Sequence, residues 1–119
     1  MPLTPRQIAE AFSGHRFDVT FDHLADDVGW NLVGEDRLDG KDAVVAACRQ
    51  SAAGLAGVTT TFETFKVVEG DTCVVVDAVG RYVDDQGGTS LVSSCDLYDF
   101  AGGKITTITP YAVELTGRS

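Results

Sequence analysis

From Val58 onward the chain falls into four long runs, VTTTFETFKVV, TCVVVDAVGRYV, TSLVSSCDLYDF and KITTITPYAVEL, rich in β-branched and aromatic residues. These predict strands. The separators EGD, DDQGG and AGG are short Gly and Asp turns, so consecutive strands are expected to pair antiparallel as a meander. Phe62 against Phe65 and Val67 breaks the strict alternation and predicts a bulge in a bent strand.

The first half of the chain carries helical spacing instead. Thr4-Pro5-Arg6-Gln7 fits a capping box with Pro at the first helical position, Ile8 and Phe12 share a face, and Gly14 ends the helix. A second short helix is expected from an Asp18 cap, turning Phe21, Leu24 and Ala25 inward before ADD leads the chain out. VGWNLVG then alternates, with Val28, Trp30 and Leu32 on one side of a half-buried strand. EDRLDG reads as a polar loop. Lys41 to Leu55 predicts a third helix, with Val44, Ala47, Cys48, Ser51 and Leu55 on one face and Asp42 near its positive end. Three N-terminal helices ahead of a curved, mainly antiparallel sheet make an α+β layout. The helices cover one face and leave a concave space, where small-molecule sites usually form.

Composition narrows the possibilities. With 119 residues and no linker-like shift, one domain over residues 1–119 is expected. Nine Lys and Arg against eighteen Asp and Glu give a net charge of −9, which repels phosphate backbones and anionic membrane surfaces, so no nucleic-acid partner and no membrane partner is expected. No apolar run is long enough to cross a bilayer, and MPLTPRQIAE lacks the features of a signal peptide, which points to the cytoplasm. Cys48, Cys73 and Cys95 are odd in number without C-x-x-C spacing and read as reduced thiols. His15 and His23 form no H-x-x-x-H pair, and no phosphate-cradling glycine loop is present; neither a metal nor an organic cofactor is expected.

One carboxylate sits oddly. In SSCDLYDF, Asp96 shares a strand face with Ser94, Tyr98 and Phe100, and a charge there must be neutralised or partnered. Two registers are open. If the DDQGG hairpin pairs 84 with 89, Asp77 stands opposite Asp96 and the two form a candidate catalytic pair with Arg81 nearby. Shifted by one, Asp77 and Arg81 move outside as cross-strand or dimer-contact charges, and Asp96 sits among Val76, Ala78 and Tyr82 with only hydroxyls for company. The second register buries more apolar surface.

The stretches HLADDVGWNLVGEDRLDGKDAV and CDLYDFAGGKITTITPYAVEL resemble the nuclear transport factor 2-like superfamily, in its SnoaL-like and ketosteroid-isomerase-like branch. The resemblance rests on ADD before the first strand, G-K-D-A-V opening the third helix, and D-x-Y-x-F-x-x-G-K-I across the last hairpin, and spans Thr4 to Leu115. It implies a cone-shaped, cystatin-like domain, often a homodimer, with a pocket between helices and sheet. Asp96 falls where ketosteroid isomerases keep a protonated aspartate, which is the known example of a carboxylic acid held neutral by an apolar site. Their general base falls near Leu32, with Asn31 beside it, their oxyanion tyrosine at Ile8, and a supporting tyrosine at Cys48. The residues that hold water in limonene epoxide hydrolases fall at Trp30 and Leu32, and their last-strand acid at Pro110, at or next to the acidic position of SnoaL-type cyclases. None of the three catalytic sets is intact.

The sequence thus predicts a pocket for a small hydrophobic molecule. Asp96 and Asp77 are the candidate catalytic groups, and Trp30, Leu32, Tyr98, Phe100, Phe12, Cys48 and Pro110 the candidate ligand contacts. The expected chemistry is cofactor-independent isomerisation, cyclisation or dehydration of an oxygenated metabolite. A binding protein without catalysis and a dimeric assembly module remain open. So do a structural role for Asp96, bonded to Ser94, a tyrosine or a helix-end amide, and plain packing for Trp30, Tyr98, Phe100 and Tyr111.

Overall fold

A computed structural model of the chain describes residues 3–115. Met1, Pro2 and residues 116–119 lie outside the described residues, as do the ends of the expected 1–119 unit. The first helix, α1 (Pro5–Ser13), opens as its capping box requires: the Thr4 hydroxyl accepts from the Gln7 N–H at 3.2 Å and the Gln7 side chain accepts from the Thr4 N–H at 3.0 Å. Gly14 ends it, and Ile8, Ala9 and Phe12 are buried.

Between α1 and the sheet lies a 3-10 helix, Phe17–His23. It begins one residue before the expected Asp18 cap, and no side chain caps it. The ADD segment does not lead the chain out. Ala25, Asp26 and Asp27 belong to β1 (Leu24–Asn31), in which the two aspartates are exposed while Leu24 and Val28 are buried. Nor is EDRLDG only a loop: Arg37–Asp39 forms a three-residue strand, β2, antiparallel to β1 at the sheet edge. Helix α2 (Lys41–Gly54) follows, with Asp42 in its first turn and Val44 and Cys48 in the core.

The rest is the expected meander of β3 (Thr59–Glu69), β4 (Cys73–Val83), β5 (Thr89–Ala101) and β6 (Lys104–Glu114). Strand order is β2-β1-β6-β5-β4-β3, every pairing antiparallel except β1 with β6. The sequence-predicted bulge lies in β3, where the register shifts between Phe62 and Thr64. The last hairpin turns on Gly102 and Gly103, whose φ of 59 and 79 suit a two-residue turn that twists with its strands.

The hairpin between β4 and β5 settles the register. Val83 pairs with Thr89, so Val76, not Asp77, stands opposite Asp96. A residue's neighbours on the same strand lie on the opposite face, and this one-step difference decides which side chains enter the core. Val74, Val76, Ala78 and Tyr98 are buried beneath the helices with Ile105 and Ile108 from β6. Phe12 is central to this layer, meeting Phe17, Trp30 and Tyr98 edge-on with centroids 5.0, 5.2 and 5.7 Å away. The other face of the sheet carries Val68, Tyr111 and Val113, each at least half exposed. Tyr111 is therefore no core residue. No helix among the described residues is long and apolar enough to cross a membrane.

Candidate active site

Helices on one side and the concave sheet on the other enclose a pocket of ≈ 480 Å³. β5 contributes Asp96 and Tyr98, β4 Tyr82, β1 Trp30 and β6 Ile108 and Pro110. The end of α1 and the residues after it add Phe12, Ser13, His15 and Phe17, and the end of α2 closes the rim with Ser51, Gly54 and Leu55. The walls are mainly aromatic and aliphatic, with the Ser13 and Ser51 hydroxyls among them, and Asp96 supplies the one carboxyl of the described lining residues.

Its partner is a hydroxyl. Ser13 Oγ donates to Asp96 Oδ2 at 2.8 Å and lies 2.6 Å from the Tyr98 hydroxyl. A serine has one proton to give, so while Ser13 donates to Asp96 the phenol must donate to Ser13. The result is a directed chain, Tyr98 to Ser13 to Asp96, running from a residue only 1 % exposed to the pocket surface. Burial pushes the Asp96 carboxyl above its ordinary pKa, and the Ser13 bond opposes part of that rise. Burial and the nearby Asp96 hold Tyr98 well above the usual phenol range, so it remains a donor. Among the described residues no Lys, Arg or His forms an ion pair with Asp96.

Asp77 leaves the site. It pairs with Cys95 and is exposed on the outer face, and Arg81 on the same face bonds Glu63 across the strands at 2.8 Å. Three expected ligand contacts leave it too. Leu32 lies beyond the end of β1, where its carbonyl accepts the Glu35 N–H at 2.8 Å in a turn. Phe100 packs against the core but does not line the pocket. Cys48 is fully buried, its thiol pushed up to about 12 by burial, and it lines an adjoining cavity between the 3-10 helix and α2. Phe12, Trp30, Tyr98 and Pro110 do line the pocket. Pro110 stands opposite Asp96 and past the last pairing of β6 with β1, so the N–H it lacks costs no ladder bond on that side.

Ser13, His15 and Tyr82 were not marked as contacts by the sequence. His15 reads there as part of a polar loop, yet the structure places its ring in the pocket wall, with φ 66. Ser13 and His15 arrive from the end of a helix, whose direction onto the sheet no local pattern gives. Tyr82 was visible only as a consequence of the second register. The Trp30 Nε1 is buried without a hydrogen-bond partner among the described residues. No group of three or more His, Cys, Asp or Glu among the described residues is placed to hold a metal ion.

Comparison with known proteins agrees with this architecture. Residues 6–108 match the family model described as a SnoaL-like domain. No protein among the curated ones matches the sequence. Among solved structures, a nuclear transport factor 2-like protein of unknown function from Cytophaga hutchinsonii is 30% identical, with a TM-score of 0.78 over 89% of this chain and 93% of its own. A proposed polyketide cyclase from Xanthomonas campestris pv. campestris is 23% identical (TM-score 0.69, 87% of this chain and 83% of its own), and an LEH-like epoxide hydrolase from M. tuberculosis is 17% identical (TM-score 0.68, 91% and 81%). At those identities the last two show the same fold and no more. The family match and the Cytophaga relative span most of the chain, which belongs to the SnoaL-like family of nuclear transport factor 2-like proteins.

Proposed function

We propose that this protein is a cofactor-independent enzyme that moves protons on a small, largely apolar oxygenated molecule, by isomerisation, dehydration or cyclisation. One observation carries the reading: a carboxyl without a cation partner among the described residues, raised in pKa by burial, stands in the wall of an aromatic pocket. A carboxyl so placed holds its proton more readily than an exposed one, and a side chain within reach of a substrate can pass that proton on. Asp96 is the acid or base, Ser13 holds one of its oxygens, and Phe12, Trp30 and Tyr98 pack the substrate. The fold's membership supports a pocket enzyme but does not choose the reaction.

Screening phenols, steroid-like ketones, epoxides and aromatic polyketides by thermal shift, with wild type and Asp96→Asn side by side, tests the reading. One class should stabilise the wild type, be turned over by it, and be turned over at least about 100-fold more slowly by the variant. A ligand that binds stoichiometrically and is released unchanged would instead support a binding protein. That second reading draws on Ile8 lying in the closed core and Leu32 outside the pocket, where related enzymes have catalytic groups.

A cytoplasmic homodimer is part of the same proposal. What supports the dimer is the exposed apolar set Val68, Tyr111 and Val113 on the uncovered sheet face. A monomer in sedimentation at micromolar concentration would remove it.

A further inference from the structure

His15 is held in a conformation that histidine adopts at a cost. Among the described residues it is the one non-glycine with positive φ, directly after the Gly14 cap. Its imidazole lines the same pocket as Asp96, with the rings of Phe17, Tyr82 and Phe62 centred 5.8, 5.8 and 5.9 Å away. Its Nε2 lies 3.5 Å from the Tyr82 hydroxyl, longer than an ordinary hydrogen bond and a gap that must close for a proton to pass. Burial lowers its pKa, so the ring is neutral near pH 7 and keeps a lone pair to accept a proton.

Tyr82 leads from His15 toward Asp96. Its phenol pKa is raised first by burial and then by the Asp96 charge, which places the hydroxyl within reach of that carboxylate's field. The ring finds room because residue 80 is glycine: a Cβ there would come within 3.0 Å of the Tyr82 ring and hydroxyl. Imidazole, phenol and carboxyl thus face one pocket. Among the described residues no Lys or Arg lines it. On the far side of His15, in the adjoining cavity, the groups that could influence it are Asp18, Arg49 and the Cys48 thiol.

We propose that His15 is a second proton-transfer group of this pocket, acting as base through the Tyr82 hydroxyl while Asp96 acts as acid on an uncharged carbonyl substrate. This rests on the reading of Asp96 as a proton-transfer group and gives it a direction and a substrate class. In the enolisation of a ketone, the phenol oxygen of Tyr82 takes a proton from the carbon next to the carbonyl as its own proton passes to His15. The C–H electron pair becomes the new C=C bond, and the carbonyl oxygen takes the proton of Asp96. The enol leaves with no charge, and one proton has moved from Asp96 to His15. The step needs both groups neutral at the start, the form that burial favours for each. A substrate carboxylate or phosphate would meet no Lys or Arg among the described lining residues.

Deuterium exchange at the carbons flanking the carbonyl of β-tetralone, followed by proton NMR in heavy water, tests this directly, with a ring-carboxylated analogue alongside. The wild type should exchange β-tetralone well above the buffer rate and leave the carboxylated ketone at that rate. His15→Asn and Asp96→Asn should each lower the exchange about 100-fold or more. The wild-type rate should fall on the acid side as His15 is protonated, and His15→Asn should lose that limb. Asparagine tolerates positive φ, and melting curves check its fold. If that variant does not fold, His15→Gly keeps the backbone free to adopt the conformation, and added imidazole should restore part of its rate. A folded His15→Asn within about twofold of wild type, acid limb intact, would overturn the role of His15 while leaving that of Asp96. Exchange of the carboxylated ketone as fast as of β-tetralone would overturn the substrate class. A wild type no faster than buffer, or an unaffected Asp96→Asn, would remove the proton-transfer reading itself.

Discussion

Asp77 and Asp96 lie one pairing step apart on neighbouring strands and live in different chemistry. Asp77 faces solvent opposite Cys95, in a row with the Arg81 that bonds Glu63. Asp96 faces the helices opposite Val76, bonded to Ser13 and in one pocket with Tyr82 and Tyr98. Nothing in the residue type distinguishes them. The parity of the register does, because a shift of one exchanges the two faces of a strand. The Asp84–Gly88 loop fixes that parity: Asp84 Oδ1 accepts the N–H groups of Gln86 and Gly88 at 2.9 and 2.7 Å, and Asp84 N–H donates to the Gly88 carbonyl at 2.9 Å.

The contrast breaks most severely when the inner face is opened. Phe12→Ala removes the ring that meets Phe17, Trp30 and Tyr98, and should cost about 3–5 kcal/mol in denaturant unfolding. Water admitted there should bring the Asp96 titration down, because burial is what raises it. Next comes Ser13→Ala, which leaves both the Tyr98 hydroxyl and Asp96 Oδ2 without their partner. A loss of about 1–3 kcal/mol is expected, with the Asp96 pKa moving further up because the bond that opposes its rise is gone.

A smaller effect has a sign that distinguishes the two faces. The Asp96 pKa is higher in the folded protein than the unfolded value of about 3.9, so the folded state holds its proton longer. Wild-type stability should therefore fall as pH rises from the unfolded value through the folded one. Asp96→Asn removes that fall, so its stability relative to wild type should be greater at neutral pH than below about pH 4, as read from parallel urea titrations. The smallest change belongs to the outer face. Glu63→Gln breaks an ion pair whose two side chains are 41 and 45 % exposed, and should cost only about 0.2–1 kcal/mol and leave any turnover unchanged.

How much of this was legible in the sequence depended on whether the signal was local. The α1 capping box, the β3 bulge, the Gly-Gly turn and the four-strand meander each rest on residues close in the chain, and each is found where the pattern put it. β2 was not legible because three residues with a polar, exposed flank at a sheet edge look like a loop. The extent of β1 was missed for a similar reason: Asp26 and Asp27 are exposed within a strand whose register with β6 shifts between Leu24 and Gly29. Asp96 was conspicuous as a charge among aromatics, Phe12, Trp30 and Tyr98 followed from their faces, and Pro110 came only from the family resemblance. Its hydroxyl partner was not legible. Ser94 is nearer in sequence and shares its face, yet the bond comes from Ser13, which is 83 residues away and is brought there by the packing of α1 on the sheet.

Carbon-13 NMR titration of the Asp96 carboxyl, assigned by its loss in Asp96→Asn, tests the central claim most directly. The account predicts a midpoint clearly above the ordinary aspartate value, rising again in Ser13→Ala. A midpoint at or below that value, unmoved by the loss of Ser13, would show a carboxylate held ionised by its surroundings and would contradict the proton-transfer site.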